Sequence, residues 1–475
     1  MPVISKIDEK LINRANEKQL LSAFQLFLNN LDNDQDHEWL ERCAEIWEES
    51  CFKLKNLHIS EYRGIKNLDL DLDEKLTLII GENGTGKTTI LEAIAKSLSI
   101  LTSSITSRNF SSSPLKDRDI RQYADFFSIQ TILDLGNKNK LRCCLSKARS
   151  GSIIDAKNDL YDFKLLGRCI QHLDKQELTD LPVLVYYAIS RSEKMKPSEF
   201  ISINRKKTEN RIGDLYDKTN LNGKLNLEEF EQWFIRLSKK TDPVSQDQLK
   251  KFKALIVNTV PCVDDICINL KDGIETIEIK IGNNFKNFSY LSDGQRLFVA
   301  LIVDLARKLT LSSNQSDNPF DGQGIVLIDE IELHLHPQWQ RDILPSLLHN
   351  FPNIQFIVTT HSPQVISSVD SKSIRTLTLD ENEEIIVGNV DYQTDGATSS
   401  EVLNRLMNVS LRRKLARPAI LLKKLQKLTA DITSSNEDVL ATYYELVGMN
   451  PNDDLLNEAK QAKVSFEIRK KLASE

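Results

Sequence analysis

The stretch GENGTGKT, Gly81 to Thr88, sets glycines, a lysine and a threonine at the spacing G-x-x-x-x-G-K-[ST]. Gly81, Gly84 and Gly86 let a backbone wrap closely round phosphate oxygens and turn its N–H groups inward. A helix that starts there adds positive potential at its first turn. At this spacing Lys87 reaches the β- and γ-phosphates of a nucleoside triphosphate, and the Thr88 hydroxyl ligates Mg²⁺. The flanks argue against a chance glycine turn. LTLII before it reads as a buried strand, and Ile90, Leu91, Ile94 and Leu98 after it fall on one side of a helix.

Two further strand tips carry chemistry. GIVLIDE, 324–330, is an apolar run ending in two carboxylates. Asp329 is placed to hold Mg²⁺ through water and Glu330 to polarise an attacking water as general base. NIQFIVTTHSP, 353–363, is a second apolar run, and it ends in His361, which can hydrogen-bond a γ-phosphate. Finally LSDGQR, 291–296, offers a serine, a glycine and a glutamine where the helical run LFVALIVDLARKL begins. That is a second anion-binding layout in one chain.

The elements that must position these groups suit an α/β fold. LHISEYRGI and NLDLDL read as a hairpin ahead of the phosphate loop, CINLKDGIETIEIKIG as strands ahead of LSDGQR, and SIRTLTL and EEIIVG as strands that finish the sheet. The 475 residues allow two to four domains. A net charge of −6 excludes a protein that coats polyanions with its whole surface, so any nucleic-acid contact must come from a local basic patch. No apolar run is long enough to span a bilayer, and the start, MPVISKIDEKLINRANEK, has no apolar signal core. Seven cysteines without a CxxC fit reduced thiols, and the expected location is the cytoplasm.

Walker A, LSDGQ, Walker B and a strand-tip histidine, in that order, resemble the ATP-binding-cassette ATPases. The resemblance implies ATP and Mg²⁺ as cofactors, with Asn83, Gly84, Thr85, Gly86, Lys87, Thr88 and Thr89 around the phosphates. It also implies that Ser292, Gly294 and Gln295 bind the γ-phosphate of a nucleotide held by the other subunit, so that a homo-oligomer sandwiches ATP between its copies. Asp293 stands where transporters have glycine. The asparagine in GENGTGKTT and the hairpin ISEYRGIKNLDLDL are similar to the SMC, RecF and OLD branch, which makes Arg63 a nucleotide contact. LIDEIELHLHPQWQ resembles the extended Walker B of OLD-like ATPases, and in that setting Glu332, His334 and His336 lie near the nucleotide at a dimer interface. A zinc site at His334 and His336 is disfavoured because no fourth ligand is in reach. A metal-touching glutamine is expected on a strand after Walker A. Gln122 and Gln130 are both open, with Gln130 preferred because FFSIQTILDL looks more strand-like.

Between Walker A and LSDGQ there is no sustained heptad run. LNLEEFEQWFIRLSKK, with Phe230, Trp233, Phe234 and Leu237 at helical spacing, suggests a compact helical insertion instead. DKTNLNGKLNLEEF imitates a calcium loop, but Lys218 falls on its first ligand position, so an Asn-Gly turn is the better reading. The N-terminus holds two amphipathic helical runs, EKQLLSAFQLFL and WLERCAEIW. Near the C-terminus a helix is expected from DGATSSEVLNRLMNV, capped by Ser400 or Thr398. Arg405, Arg412, Arg413, Lys414, Arg417, Lys423, Lys424 and Lys427 follow without an intervening acid and could meet a phosphate backbone.

The expected architecture is therefore a P-loop ATPase head of mixed β-sheets flanked by helices. Residues 1–50 are a helical extension, 51–200 a head lobe with Walker A, and 201–260 a helical insertion. Residues 261–392 are the second head lobe and 393–475 a helical region with the basic run. No Glu followed by a strand-ending Asp-x-Asp is found, so a nuclease domain of the chain's own is not expected. That combination resembles the PtuA-type ATPases of the bacterial Septu anti-phage systems. The resemblance implies a separate HNH endonuclease, PtuB, as partner, which the ATPase regulates or delivers to DNA. The alternatives are a RecF- or SMC-like repair ATPase acting without a nuclease, or a scaffold stabilised by ATP.

Overall fold

The computed structural model describes residues 19–29, 36–106, 115–136, 139–188, 211–216, 221, 227–260, 263–271, 274–313, 318–333, 335–382, 384–406, 417–431, 435–449 and 455–472. The chain divides into two compact units, Met1–Ala397 and Thr398–Glu475.

The first unit opens with helices α1 (Gln19–Asn29) and α2 (Asp36–Glu48). Strands β1 (Lys53–Tyr62), β2 (Ile65–Asp71) and β3 (Leu76–Gly81) follow, then the long helix α3 (Lys87–Ile105). Next come β4 (Phe126–Asp134), β5 (Lys140–Ala148), α4 (Tyr161–Lys175) and β6 (Val183–Tyr187). The insertion contains α5 (Arg211–Leu215), α6 (Leu227–Lys239) and α7 (Pro243–Thr259). A small sheet of β7 (Asp265–Lys271), β8 (Ile274–Ile281) and β9 (Asn284–Asn287) leads into α8 (Asp293–Ser312). The unit is completed by β10 (Gly324–Ile328), α9 (Pro337–Asn350), β11 (Ile354–Thr359), α10 (Pro363–Ile366), β12 (Ile374–Leu379) and β13 (Ile385–Asn389).

The central sheet has the order β13-β12-β3-β11-β10-β6. Its inner strands run parallel, and only β13 is antiparallel to its neighbour. Strands β3, β6, β10 and β11 are buried along nearly their whole length. That is why LTLII, VLVYY, GIVLI and IQFIVT are largely apolar runs: a parallel strand covered on both faces has no solvent-facing side. Strand β2 alternates buried and exposed residues, as expected of the antiparallel sheet β2-β1-β4-β5 with one face in the core.

Parallel order brings the carboxyl ends of β3, β11, β10 and β6 to one edge, where ligands of open α/β sheets bind. The register sets the depth of each tip: Thr359 faces Ile79, and Ile328 faces both Val358 and Tyr187. A buried glutamine joins the two large sheets at the other end. Gln355 donates to the carbonyls of Leu54 and Asp73 and accepts from the Leu54 N–H, each at 2.7 Å, so this buried amide is satisfied.

The helical ends of this unit pack onto the head. On the α1–α2 pair, Phe24, Cys43 and Trp47 are buried; Phe24 meets the ring of His172 on α4 at 5.8 Å, and the Trp47 indole donates to the Asp180 carbonyl. The insertion is anchored by aromatic contacts, Trp233 to Phe252 at 4.8 Å and Phe252 to Phe320 at 5.5 Å. The calcium-loop imitation at Lys218, Asn220, Asn222 and Gly223 lies outside the described residues.

The second unit consists of α11 (Ser399–Arg405), α12 (Arg417–Ala430), α13 (Asn436–Met449) and α14 (Leu455–Leu472). Thr398 is the residue that caps α11, accepting from the Glu401 N–H while Glu401 returns the bond. Leu421, Leu425, Val439, Leu446, Leu456 and Phe466 form the core of the bundle. Lys423, Lys424 and Lys427 are exposed on α12, whereas Arg412, Arg413 and Lys414 lie outside the described residues.

Candidate functional site

The phosphate loop leaves β3 and enters α3 through two left-handed glycines, Gly84 at φ 88° and Gly86 at φ 87°. A side chain at either would be strained. Gly81 is required for a different reason. A Cβ there would stand 2.6 Å from the Leu377 carbonyl oxygen and 2.8 Å from Thr85 Oγ1. Thr85 is buried and closes the turn on the Glu82 carbonyl at 2.9 Å, while Asn83 and Gly84 are exposed at the rim. Lys87 folds back inside the loop, with Nζ donating to the carbonyls of Gly81 at 3.0 Å and Glu82 at 2.7 Å. Burial lowers the pKa of this ammonium, and the charges of Glu330, Asp329 and Glu332 oppose that shift. Thr89 is half-buried in the first turn of α3.

The strand-tip acids meet this loop. Thr88 Oγ1 donates to Asp329 Oδ2 at 2.7 Å, and Asp329 is almost wholly buried. Its other oxygen accepts from Thr359 Oγ1 at 2.5 Å. The same threonine oxygen accepts from the Glu330 N–H at 2.8 Å, and Glu330 sits at φ 45°. A non-glycine residue held in the left-handed region needs its surroundings to fix it, and such strain collects at functional sites. The hydroxyl of Thr88 and the carboxylate of Asp329 are the hard oxygen donors that Mg²⁺ prefers, set beside a phosphate loop, so they fit that ion.

His361 is half-buried just beyond β11, and its N–H donates to Glu332 Oε1 at 2.6 Å. Its neighbour Ser362 reaches Gln340 on α9 at 2.6 Å, which ties this loop to the helix after Walker B. His336 caps α9 through Nδ1, which accepts from the Gln338 N–H at 3.4 Å. His334 lies outside the described residues, and among the described residues no cluster of metal-binding side chains forms.

Ser292 is the N-cap of α8: Gln295 N–H donates to its hydroxyl at 3.3 Å, and the Ser292 N–H donates to Gln295 Oε1 at 3.1 Å. Ser292 is exposed, Gln295 half-buried and Gly294 buried. Within one copy, the side chains of Ser292 and Gln295 bond to each other's backbone N–H groups, and the Ser292 carbonyl accepts from the Arg296 N–H at 3.0 Å.

Arg63, at φ 51° in the β1–β2 turn, pairs with Glu92 on α3 at 2.6 Å and Asp119 at 3.1 Å. Glu92 is one helical turn beyond Thr88, so Arg63 stands beside the start of the phosphate-loop helix. Burial by itself lowers the pKa of Arg63; Tyr62 and these carboxylates outweigh it and raise the value. Arg63 also lines an open cavity of about 710 Å³ with Asp117, Arg118, Ile120, Gln122, Tyr123 and Arg149. Gln130 is elsewhere, in the middle of β4 between His58 and Cys144. Of the two glutamines left open by sequence, Gln122 is the one that shares a cavity with Arg63.

Sequence reasoning passed over Thr359 and Tyr187. Thr359 reads as one more residue of an apolar strand. Tyr187 ends β6, a strand signalled by the run LPVLVYY, and its carbonyl accepts from the Asp329 N–H at 2.8 Å. Its phenol donates to Asp304 on α8 at 2.8 Å. One residue thereby joins the Walker B tip to the helix that starts at Ser292.

Comparison with known proteins agrees with this geometry. Residues 52–210 match the family described as "AAA ATPase domain", and residues 174–367 match "AAA domain, putative AbiEii toxin, Type IV TA system". The chain is 27% identical to the retron Ec83 probable ATPase of Escherichia coli, over 98% of this chain and 96% of that protein. It is 28% identical to the Septu protein PtuA of Bacillus thuringiensis, over 85% and 95%. It is 29% identical to the retron Vc95 probable ATPase of Vibrio cholerae, over 73% and 77%. The chain is thus a homologue of the Septu protein PtuA and of the retron ATPases, with AAA-type ATPase sequence on an α/β fold.

Proposed function

We propose that this chain is an ATP-binding and ATP-hydrolysing subunit of an anti-phage defence complex. The observation that carries the reading is the 2.7 Å contact between Thr88 Oγ1 and Asp329 Oδ2, which joins Walker A to Walker B. In this reading the Gly81–Thr89 loop and Lys87 hold the triphosphate, and Thr88 and Asp329 hold Mg²⁺. The metal, when bound, neutralises charge on the β- and γ-oxygens. Glu330 accepts a proton from the attacking water, and His361 steadies the γ-phosphoryl oxygens. Arg63 and Gln122 reach the nucleotide from the β1–β2 side, with Gln122 in the role first given to Gln130.

Ser292, Gly294 and Gln295 act on the ATP of a sister copy. The exposure of Ser292 at the cap of α8 supports this. Homology to the Septu protein PtuA supports a place in a defence system. A separate HNH endonuclease as partner and DNA as the target complete this proposal. No described helix is long and apolar enough to cross a membrane, and the cytoplasm is the proposed location.

Glu330→Gln tests the chemistry. It should keep ATP binding and lose turnover by about 10²- to 10⁴-fold, the usual worth of a general base. Turnover at the wild-type rate would remove Glu330 from that role. Native mass spectrometry of the chain expressed with its neighbouring reading frame tests the partner. Nucleotide-dependent assemblies containing a small HNH protein are expected, and a chain that never retains one argues for an ATPase acting alone.

A further inference from the structure

Three consecutive residues at the end of β11 each engage the loop that follows Walker B. Thr359 binds Asp329 and the Glu330 N–H, as described above. Thr360 Oγ1 donates to Glu332 Oε2 at 2.6 Å, and the His361 N–H donates to Glu332 Oε1 at 2.6 Å. Two more bonds close the arrangement: the Ile331 N–H donates to the Thr359 carbonyl at 3.2 Å, and the Ser362 N–H to Thr360 Oγ1 at 3.0 Å.

We propose that Glu332 is a positioning residue for His361, holding the backbone of the strand-tip histidine at the height of the γ-phosphate. The proposal rests on the ATPase reading above and assigns Glu332 a task inside its own copy rather than at a contact with a sister subunit. Both carboxylate oxygens accept a short hydrogen bond, one from each of two adjacent residues, and a charged acceptor makes such bonds stronger than neutral ones. A peptide N–H fixes the main chain of His361, whatever its imidazole does. The imidazole therefore stays free to meet a ligand while its anchor point is fixed, which is the support that a reactive side chain on a loop requires. Glutamine has one acceptor oxygen and an NH₂ in place of the second. In the same pose its oxygen takes only one of the two places, and an NH₂, which cannot accept, stands at the other.

The test is a double-mutant cycle on the full chain, reading kcat, KM and equilibrium binding of ATP. Glu332→Gln should lower kcat by about 10- to 100-fold, the range for losing a hydrogen bond to a charged group, with ATP binding unchanged. His361→Ala should lower kcat at least as far, and the double variant should be no slower than His361→Ala alone. Thr360→Val, which deletes the second donor together with the acceptor of the Ser362 N–H, provides the same reading if Glu332→Gln does not fold, and should give a smaller loss in kcat that also disappears beside His361→Ala. Losses that multiply in the double variant, or a Glu332→Gln chain with wild-type kcat, overturn the proposal while leaving the ATPase reading standing. A wild-type chain that binds ATP but never turns it over overturns both.

Discussion

Thr88 and Asp329 are separated by 241 positions in the chain, yet the hydroxyl of one lies 2.7 Å from the carboxylate of the other. Neither helix α3 nor strand β10 places them alone. The contact depends on β3 and β10 standing two apart in a parallel sheet, with β11 between them. Asp329→Asn should therefore leave the fold intact and remove Mg²⁺-dependent turnover. The loss should be about 10²-fold or more, as expected when a charged ligand of the metal becomes neutral. A titration of ATPase rate against Mg²⁺ reads this directly, and an unchanged titration would separate Asp329 from the metal.

The Tyr187–Asp304 bond makes a prediction about stability. Tyr187→Phe removes a donor from a buried carboxylate and should reduce unfolding stability by about 1.5–3 kcal/mol, the worth of a hydrogen bond to a charged group. Urea midpoints of the two proteins measure the difference. Equal midpoints would mean that Asp304 is satisfied by its remaining partners.

Asp304 also sets an acid limit. Burial by itself raises its pKa, but the charges of Lys308 and Arg307, with hydrogen bonds from Lys308 and Tyr187, bring it below the ordinary 3.8. The folded chain thus takes up this proton less readily than the unfolded chain. The stability contributed by the carboxylate is fully present above 3.8 and is lost as pH falls through the lower folded value. Asp304→Asn should be less stable than wild type at neutral pH, with a shallower fall on the acid side. Parallel stability curves for the two proteins would contradict this.

The C-terminal unit has its own core, so its disruption should stay local. Phe466 is 1% exposed, and Phe466→Ala should cost about 3–5 kcal/mol. Amide exchange should then rise in 417–472 and leave the β3 and β10 strands protected. Exchange that rises equally in both units would show that they unfold together.

The phosphate loop, the Walker B acids, His361 and the α8 cap were all legible in the sequence. Each depends on residues close together in the chain: a spacing of glycines, an apolar run with an acid at its end, a serine followed by glutamine three positions on. Thr398 could be narrowed to one of two caps for the same reason. Thr359 and Tyr187 were hidden because their roles depend on which strands are neighbours. A threonine ending an apolar run looks the same whether it faces solvent or bridges the Asp329 carboxylate and the Glu330 N–H. The two glutamines left open by the sequence lie in different places: Gln130 is in the antiparallel sheet, and Gln122 lines the Arg63 cavity from a turn held by Arg149.

The central claim is that each ATP is enclosed by two copies, with Lys87 from one and Ser292 from the other. Mixing two inactive variants, Lys87→Ala and Ser292→Arg, and measuring ATPase activity tests it most directly. Each mixed pair contains one site with both residues intact, so activity should return to about a quarter of the wild-type value for freely exchanging pairs. A mixture as inactive as its components after demonstrated subunit exchange, or a Ser292→Arg chain with full activity alone, would contradict the account.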